Sequence, residues 1–181
     1  MVQKQQRMSR RLEVRRVNGV WHCGFKPVIN EDSVILILGS FPSVKSRENG
    51  FYYGNPQNRF WKTLSKALKK DIPSDTEGKK AFLYANGIAL WDVYEHTSIK
   101  GSADADINES TGKTGNVREL AKKFSNVKVA ICNGKKAFTV ASRELDGVIP
   151  CVCLSSTSSA NPRFDEKEWI EVLRKFLQIK E

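Results

Sequence analysis

The sequence lacks long hydrophobic runs and has few cysteines and histidines, and each shortage excludes a class of protein. Apolar runs such as VILIL at 34–38 are far shorter than the roughly 20 residues of a membrane helix. The 4 cysteines and 2 histidines form no CxxC pair and show no zinc-ligand spacing. We therefore expect no membrane span, no metal site and no disulfide framework, and a reducing compartment, cytoplasmic or nuclear.

Several catalytic and nucleotide-binding motifs are also missing. GSFPS at 39–43 lacks the spacing of a phosphate-binding P-loop, and no GxGxxG follows a predicted strand. HExxH, GxSxG and the zinc-deaminase motif are absent too. The common nucleotide-binding and hydrolase chemistries are therefore not supported.

Positive charge is the most prominent excess. The chain has 30 Lys and Arg against 20 Asp and Glu, a net charge of +10. Phosphate-rich partners are one reason for such a balance, and solubility alone is the other. Residues 1–16 carry six basic residues and one acidic residue, half of the excess. We interpret residues 1–20 as a basic arm for DNA phosphates, with a solvated tail or an organelle presequence as alternatives, and residues 21–181 as a single domain.

Short apolar segments alternate with segments of helical periodicity along this domain. The predicted strands are 34–39, 88–93, 127–134 and 148–154, and Pro150 indicates an edge position for the last. The predicted helices are 58–70, 77–87, 116–124, 135–145 and 165–179. Such alternation predicts a four-stranded parallel sheet in a three-layer α/β/α sandwich.

Polar and aromatic residues follow the carboxyl ends of these strands, where ligands bind in open parallel sheets. Asn58, Asn133 and Asn161 could orient a water or recognise a base edge, and Phe41 and Tyr53 offer stacking surfaces. Hydroxyl groups at 155–159, with Lys135 and Lys136, suit phosphate contacts. Each also has a structural explanation: Asn58 is a natural helix cap, Asn133 suits a turn, and aromatic clusters often only pack.

The segments ILGSFPS, FYYGNPQNRFW, GIALWDV with KGSADADI, CNGKKAF and SSTSSANPRF together resemble the uracil-DNA glycosylase superfamily, most closely its hypoxanthine-DNA glycosylase branch. The resemblance runs from about Val34 to Phe164. It implies an enzyme that flips a damaged nucleotide out of DNA and hydrolyses its N-glycosidic bond, here of deoxyinosine, without a metal or nucleotide cofactor. A monomer is expected.

One position departs from the mismatch-specific uracil branch of that family. There the first loop reads like Gly-Ile-Asn-Pro-Gly, whereas GSFPS places Phe41 where the Asn would stand. The hypoxanthine branch resembles this chain in lacking that Asn, which makes Asn58 the main catalytic candidate and Asn133 a second one. The remaining site residues implied by the resemblance fall into two groups. The base-binding group is Gly39, Ser40, Phe41 and Tyr53, and the DNA-binding group is Ser155, Ser156, Thr157, Ser158, Asn161, Lys135 and Lys136.

Three carboxylates, Asp92, Asp104 and Asp106, are possible activators of water. Two alternatives remain open for the function. The same fold could remove uracil, xanthine or several deaminated bases, or it could be a catalytically silent DNA-binding module.

Overall fold

The computed structural model describes residues 21–99, 107 and 112–179. Within them it contains seven strands: β1 (Trp21–Cys23), β2 (Ile35–Gly39), β3 (Ile88–Asp92), β4 (Tyr94–Ser98), β5 (Lys113–Thr114), β6 (Val129–Asn133) and β7 (Cys151–Leu154). It also contains six helices: α1 (Val44–Asn49), α2 (Phe60–Leu68), α3 (Thr76–Ala85), α4 (Val117–Lys123), α5 (Lys135–Glu144) and α6 (Glu166–Leu177). The expected basic arm, Asp104 and Asp106 lie outside the described residues.

The main sheet has four parallel strands in the order β3-β2-β6-β7. Every residue of β2, β3 and β6 is buried, as the nearly continuous apolar runs of these strands require in a sheet covered on both faces. The predicted parallel sheet and α/β/α sandwich are confirmed. Strand β7 lies at the edge, so Pro150, just before it, removes no ladder hydrogen bond from a central strand.

The five predicted helices are present, and their apolar stripes face the core. Helix α2 buries Phe60, which is 1% exposed, and α6 buries Trp169 at the same level. The two rings meet edge to face with centroids 6.3 Å apart, a favoured aromatic geometry. Trp61 packs half-buried against the same core. This contact fixes the start of α2, and with it the residues just before the helix.

A small antiparallel sheet and a short helix lie in segments for which the sequence analysis predicted neither a strand nor a helix. Strand β4 pairs with β1 and β5 and begins two residues after β3 ends. Helix α1 forms inside the loop after β2 because Ser43 caps its first turn by accepting from the Ser46 backbone N–H at 3.2 Å. No helix among the described residues is long and apolar enough to cross a membrane.

Candidate active site

A cavity of about 100 Å³ opens at the carboxyl ends of the main sheet. It is lined by the ends of β2, β3 and β6, by the loop that leads into α2, and by the serine-rich loop after β7. The lining residues are Gly39, Ser40, Phe41, Pro42, Ser43, Ser46, Tyr52, Tyr53, Asn58, Asp92, Asn133, Ser156, Thr157 and Ser158. The expectation that these loops meet at one edge of the sheet is confirmed.

Gly39 and Asp92 are neighbours in the β2–β3 register and form the inner wall of the cavity. Asp92 is only 4% exposed. A Cβ atom on residue 39 would lie 2.3 Å from Asp92 Oδ1, closer than atoms can approach, so any larger residue would have to displace this carboxylate. The sequence analysis treated Asp92 as one of three possible water activators, and the structure places it in the cavity.

Tyr53 adopts a left-handed backbone conformation with φ +52°, which is unusual for a bulky residue and is often found at functional sites. Its ring stacks on Phe60 with centroids 3.9 Å apart. Its buried hydroxyl lies beside the Asn133 side chain, without a well-formed hydrogen bond among the described residues. Burial and then the charge of Asp92 raise the pKa of Tyr53, and the Asn133 side chain opposes this rise. The phenol therefore stays protonated at neutral pH.

Asn58 lies half-buried at the cavity, immediately before α2. Its Oδ1 accepts a hydrogen bond of 2.9 Å from the backbone N–H of Phe60. Arg59 occupies the N-cap position of α2 without a side-chain capping bond, and Asn58, one position earlier, supplies the bond to the first helical residue. One bond to Oδ1 leaves a second lone pair, and no protein atom in the described ranges accepts from Nδ2. Asn58 therefore has both a donor and an acceptor for a water.

Asn133 ends β6 and is held by Thr157 of the serine-rich loop. Asn133 Nδ2 donates to Thr157 Oγ1, and the Thr157 backbone N–H donates to Asn133 Oδ1, each at 2.9 Å. Asn133 is 8% exposed and Thr157 is fully buried. The sequence analysis placed Thr157 among the DNA-binding residues. In the structure its hydroxyl is buried and accepts a hydrogen bond from Asn133, so it does not face outward. Asn133 and Gly134, whose φ is +101°, also form the tight turn between β6 and α5, so the bonds of Asn133 to Thr157 come in addition to that turn.

Arg59 contacts the serine-rich loop, a role that the sequence analysis did not assign to it. Its guanidinium donates to the backbone carbonyls of Ser158 and Asn161, the latter at 2.8 Å, and its Nε to that of Thr157 at 3.4 Å. The same group lies 4.3 Å from the centre of the Phe164 ring. The only signal in the sequence was an arginine between two motif residues, and its partners are about 100 positions away.

Further bonds hold the serine-rich loop in one conformation. Trp169 Nε1 donates to the carbonyl of Ser155 at 2.7 Å, and Asn161 Nδ2 donates to that of Ser156 at 2.8 Å. Ser156 and Ser158 line the cavity, whereas Ser155 and Asn161 line a neighbouring groove. The loop thus connects the two concave surfaces.

This groove has a volume of about 780 Å³ and is basic. Lys135, Lys136 and Arg163 lie along it, and it shares Ser156 with the cavity. Lys135 is exposed and begins α5. Positive charge beside a concave site suits a polyanion such as a nucleic-acid backbone. No cluster of metal-ligating side chains occurs within the described part of the chain.

Comparison with known proteins identifies the family. Residues 26–177 match the model of the Uracil DNA glycosylase superfamily. A protein from Methanosarcina acetivorans named hypoxanthine DNA glycosylase is 36% identical over 157 residues, covering 83% of this chain and 97% of its own. A protein of the same name from Methanosarcina barkeri is 36% identical over 116 residues, covering 63% and 72% of the two chains.

A comparison of three-dimensional structures gives the same family. The solution NMR structure of a Methanosarcina acetivorans protein that carries the name uracil DNA glycosylase superposes with a TM-score of 0.75 at 34% identity. The match covers 88% of this chain and 99% of the other. With a family match over most of the described chain, a shared fold and a cavity at the carboxyl edge of the sheet, this chain belongs to the uracil DNA glycosylase superfamily.

Proposed function

We propose that the protein is a monofunctional DNA glycosylase that removes hypoxanthine from DNA and leaves an abasic site. The observation that carries this proposal is the position of Asn58, half-buried at the cavity with its Nδ2 unused by the protein. The similarity to two proteins named hypoxanthine DNA glycosylase supports the choice of base. Enzymes that act on a base within a duplex extrude it into a pocket, and the cavity is where that base goes.

The inner residues of the cavity bind the base. Phe41 and Tyr53 supply its aromatic surfaces, and stacking on aromatic rings contributes about 1–3 kcal/mol per base. Flipping costs a few kcal/mol, and less for a weakly paired base such as hypoxanthine. The energetic balance therefore favours a deaminated base over a normally paired one.

The reaction is hydrolysis of the N-glycosidic bond. The bond between C1′ and N9 breaks, its electron pair leaves with the base, and the sugar becomes oxocarbenium-like. Asn58 holds the water whose oxygen adds to C1′, and the water's proton ends on the departing base. Backbone N–H groups near Gly39 and Ser40 stabilise the negative charge that develops on that base.

The outer residues hold the DNA backbone. Ser155, Ser156, Ser158 and Asn161 are suited to sugar and phosphate contacts, and Lys135 and Lys136 add charge along the basic groove. Asn133 and Thr157 act by positioning this loop. The enzyme works as an intracellular monomer, in the cytoplasm or nucleus where its DNA substrate is found.

A duplex assay tests the proposal. Purified protein is incubated with labelled duplexes that carry one deoxyinosine, deoxyuridine or deoxyxanthosine, and abasic sites are then cleaved with alkali. We expect alkali-dependent strand cleavage at deoxyinosine. Cleavage at deoxyuridine alone would change the assigned base, and duplex binding without base release from any member of the panel would indicate a catalytically silent DNA-binding module.

A further inference from the structure

Hypoxanthine differs from adenine at one edge only. Deamination replaces the 6-amino group by a carbonyl oxygen and places a hydrogen on N1, so the acceptor at N1 becomes a donor. Adenine is far more abundant in DNA than hypoxanthine. A pocket for hypoxanthine therefore needs a group that accepts from N1–H and disfavours an unprotonated N1.

Asp92 is the acidic side chain among the residues that line the cavity. The backbone holds it there, since the N–H of Val93 donates to the carbonyl of Gly39 at 2.9 Å and that of Tyr94 to Ser40 at 3.1 Å. Its Oδ1 lies against the bare Cα of Gly39. An ionised carboxylate is an acceptor only, with about four lone-pair positions, so it can accept from a base in addition to its bonds within the protein.

The two amide side chains of the cavity, Asn58 and Asn133, are less suited to this task. Asn133 has both ends of its amide engaged by Thr157, and the free donor and acceptor of Asn58 are assigned to the attacking water. Asn58 is also the more exposed of the two and lies at the entrance to α2 rather than at a strand end. Asp92, at the end of β3, is buried at 4% exposure, where a hydrogen bond to a charged group discriminates strongly.

The Tyr53 hydroxyl is further evidence that a ligand atom binds beside Asp92. Like Asp92 Oδ1, it lies near Gly39, at 3.4 Å from the position of a Cβ there. It is buried beside the Asn133 side chain, without a well-formed hydrogen bond in the residues that the structure describes. Buried polar groups are rarely left unpaired, and exceptions concentrate at sites that a ligand completes.

We infer that Asp92 is the specificity-determining residue of the cavity, accepting a hydrogen bond from N1–H of a flipped hypoxanthine and repelling the N1 lone pair of adenine. The inference rests on the proposed function. Uracil and xanthine present the same N–H next to a carbonyl, so Asp92 admits the class of deaminated bases. Guanine presents this edge as well, and its exclusion requires a separate contact at the 2-amino group.

The first test uses the wild-type protein and DNA that it cannot cleave. Duplexes carry a 2′-fluoroarabino nucleotide, whose fluorine opposes glycosidic cleavage, with hypoxanthine, adenine or N1-methylhypoxanthine as the base. We expect the hypoxanthine duplex to bind at least about ten-fold more tightly than either of the others, as a hydrogen bond to a charged group predicts. Equal affinities for hypoxanthine and its N1-methyl derivative would overturn the inference, whatever any variant does.

The second test is Asp92→Asn, with Asp71→Asn at an exposed loop position as the matched control. An asparagine amide can donate to N1 of adenine and accept from its amino group, so the preference for hypoxanthine should fall at least about ten-fold. Asp71→Asn should keep the wild-type preference. An unchanged preference in Asp92→Asn with slower base release would instead make Asp92 a water activator, and an equal loss of affinity for both bases would make it structural.

These results separate the inference from the proposed function. Binding that depends on N1–H without base release from deoxyinosine would contradict the proposed reaction and leave the role of Asp92 intact. Base release from deoxyinosine, together with binding that does not depend on N1–H, would support the proposed reaction and contradict the role of Asp92.

Discussion

Asn133 and Thr157 exchange two hydrogen bonds of 2.9 Å, and this pair joins the end of β6 to the serine-rich loop. The two residues are buried and stand 24 positions apart. Because the cavity is lined by both, the shape of the cavity and the position of the serine-rich loop are coupled. We therefore expect changes to either residue to affect stability and activity together.

Thr157→Val tests this pair with little change of shape. The substitution leaves a buried Asn133 donor unpaired, which we expect to lower the free energy of unfolding by about 1–3 kcal/mol in urea. Base release should also slow, because the loop loses one of its attachments. Thr139→Val on α5 is the control, since Thr139 is exposed and bonds only within its own helix. Equal stability of the two variants would show that the pair contributes nothing.

Arg59→Lys tests whether the loop needs a planar guanidinium. Lysine keeps the charge but cannot bond several carbonyls at fixed angles while stacking on Phe164. We expect faster hydrogen exchange at residues 155–161 and a fall of about ten-fold in kcat/KM for base release. Arg174→Lys is the control, because Arg174 also donates to two backbone carbonyls, those of Lys66 and Ala67, away from the cavity. An equal loss in both variants would remove any special role for Arg59.

The main sheet was predictable because its central strands are buried on both faces. Strands buried in this way consist almost entirely of apolar residues. Continuous apolar runs such as ILIL, each ending before a polar loop, indicated parallel strands and so brought Gly39, Asn58, Asn133 and the serine-rich loop to one edge. Pro150 indicated the edge strand correctly. Local sequence therefore predicted both the layers of the fold and the neighbours within the cavity.

The features that were not predicted depend on contacts between distant segments. Strand β4 has no apolar alternation and forms by pairing with β1, more than 70 positions earlier. The burial of Thr157 and the bonds of Arg59 depend on how one loop folds over another. A run of serines and threonines gives no sign of which hydroxyl will be enclosed.

Tyr53→Phe gives a prediction on pH dependence. The pKa of Tyr53 in the folded protein lies above the ordinary value of 10.0. Below pH 10 the phenol is protonated in both the folded and the unfolded protein. Above pH 10 it ionises first in the unfolded protein. Wild-type stability should fall with rising pH, by up to about 1.4 kcal/mol per unit from this group. Tyr53→Phe should flatten the decline between pH 10 and 11 in urea unfolding. An unchanged slope in Tyr53→Phe would contradict the assignment.

Deletion of residues 1–16 tests the basic arm. This segment carries a net charge of +5, and each phosphate contact contributes about −0.9 to the slope of log K against log salt. If the arm contacts DNA, its removal should make that slope shallower by several units while base release at saturating enzyme stays the same. Titrations of duplex binding between low and moderate salt measure the slope directly. The same slope in both proteins would mean that the arm is a passive tail.

Asn58→Ser separates the support of α2 from the chemistry. A serine hydroxyl can also accept from the Phe60 N–H, so stability should stay within about 0.5 kcal/mol of wild type, but serine is too short to hold the water. Asn55→Ser is a closely matched control, because Asn55 Oδ1 accepts in the same way from Gln57, at 3.0 Å, outside the cavity.

Single-turnover release of hypoxanthine from a deoxyinosine duplex, measured for these two variants and the wild type, tests the role of Asn58 most directly. We predict a loss of about 100-fold or more in Asn58→Ser and the wild-type rate in Asn55→Ser. A wild-type rate in Asn58→Ser would show that Asn58 only supports the helix, and would contradict the proposed mechanism.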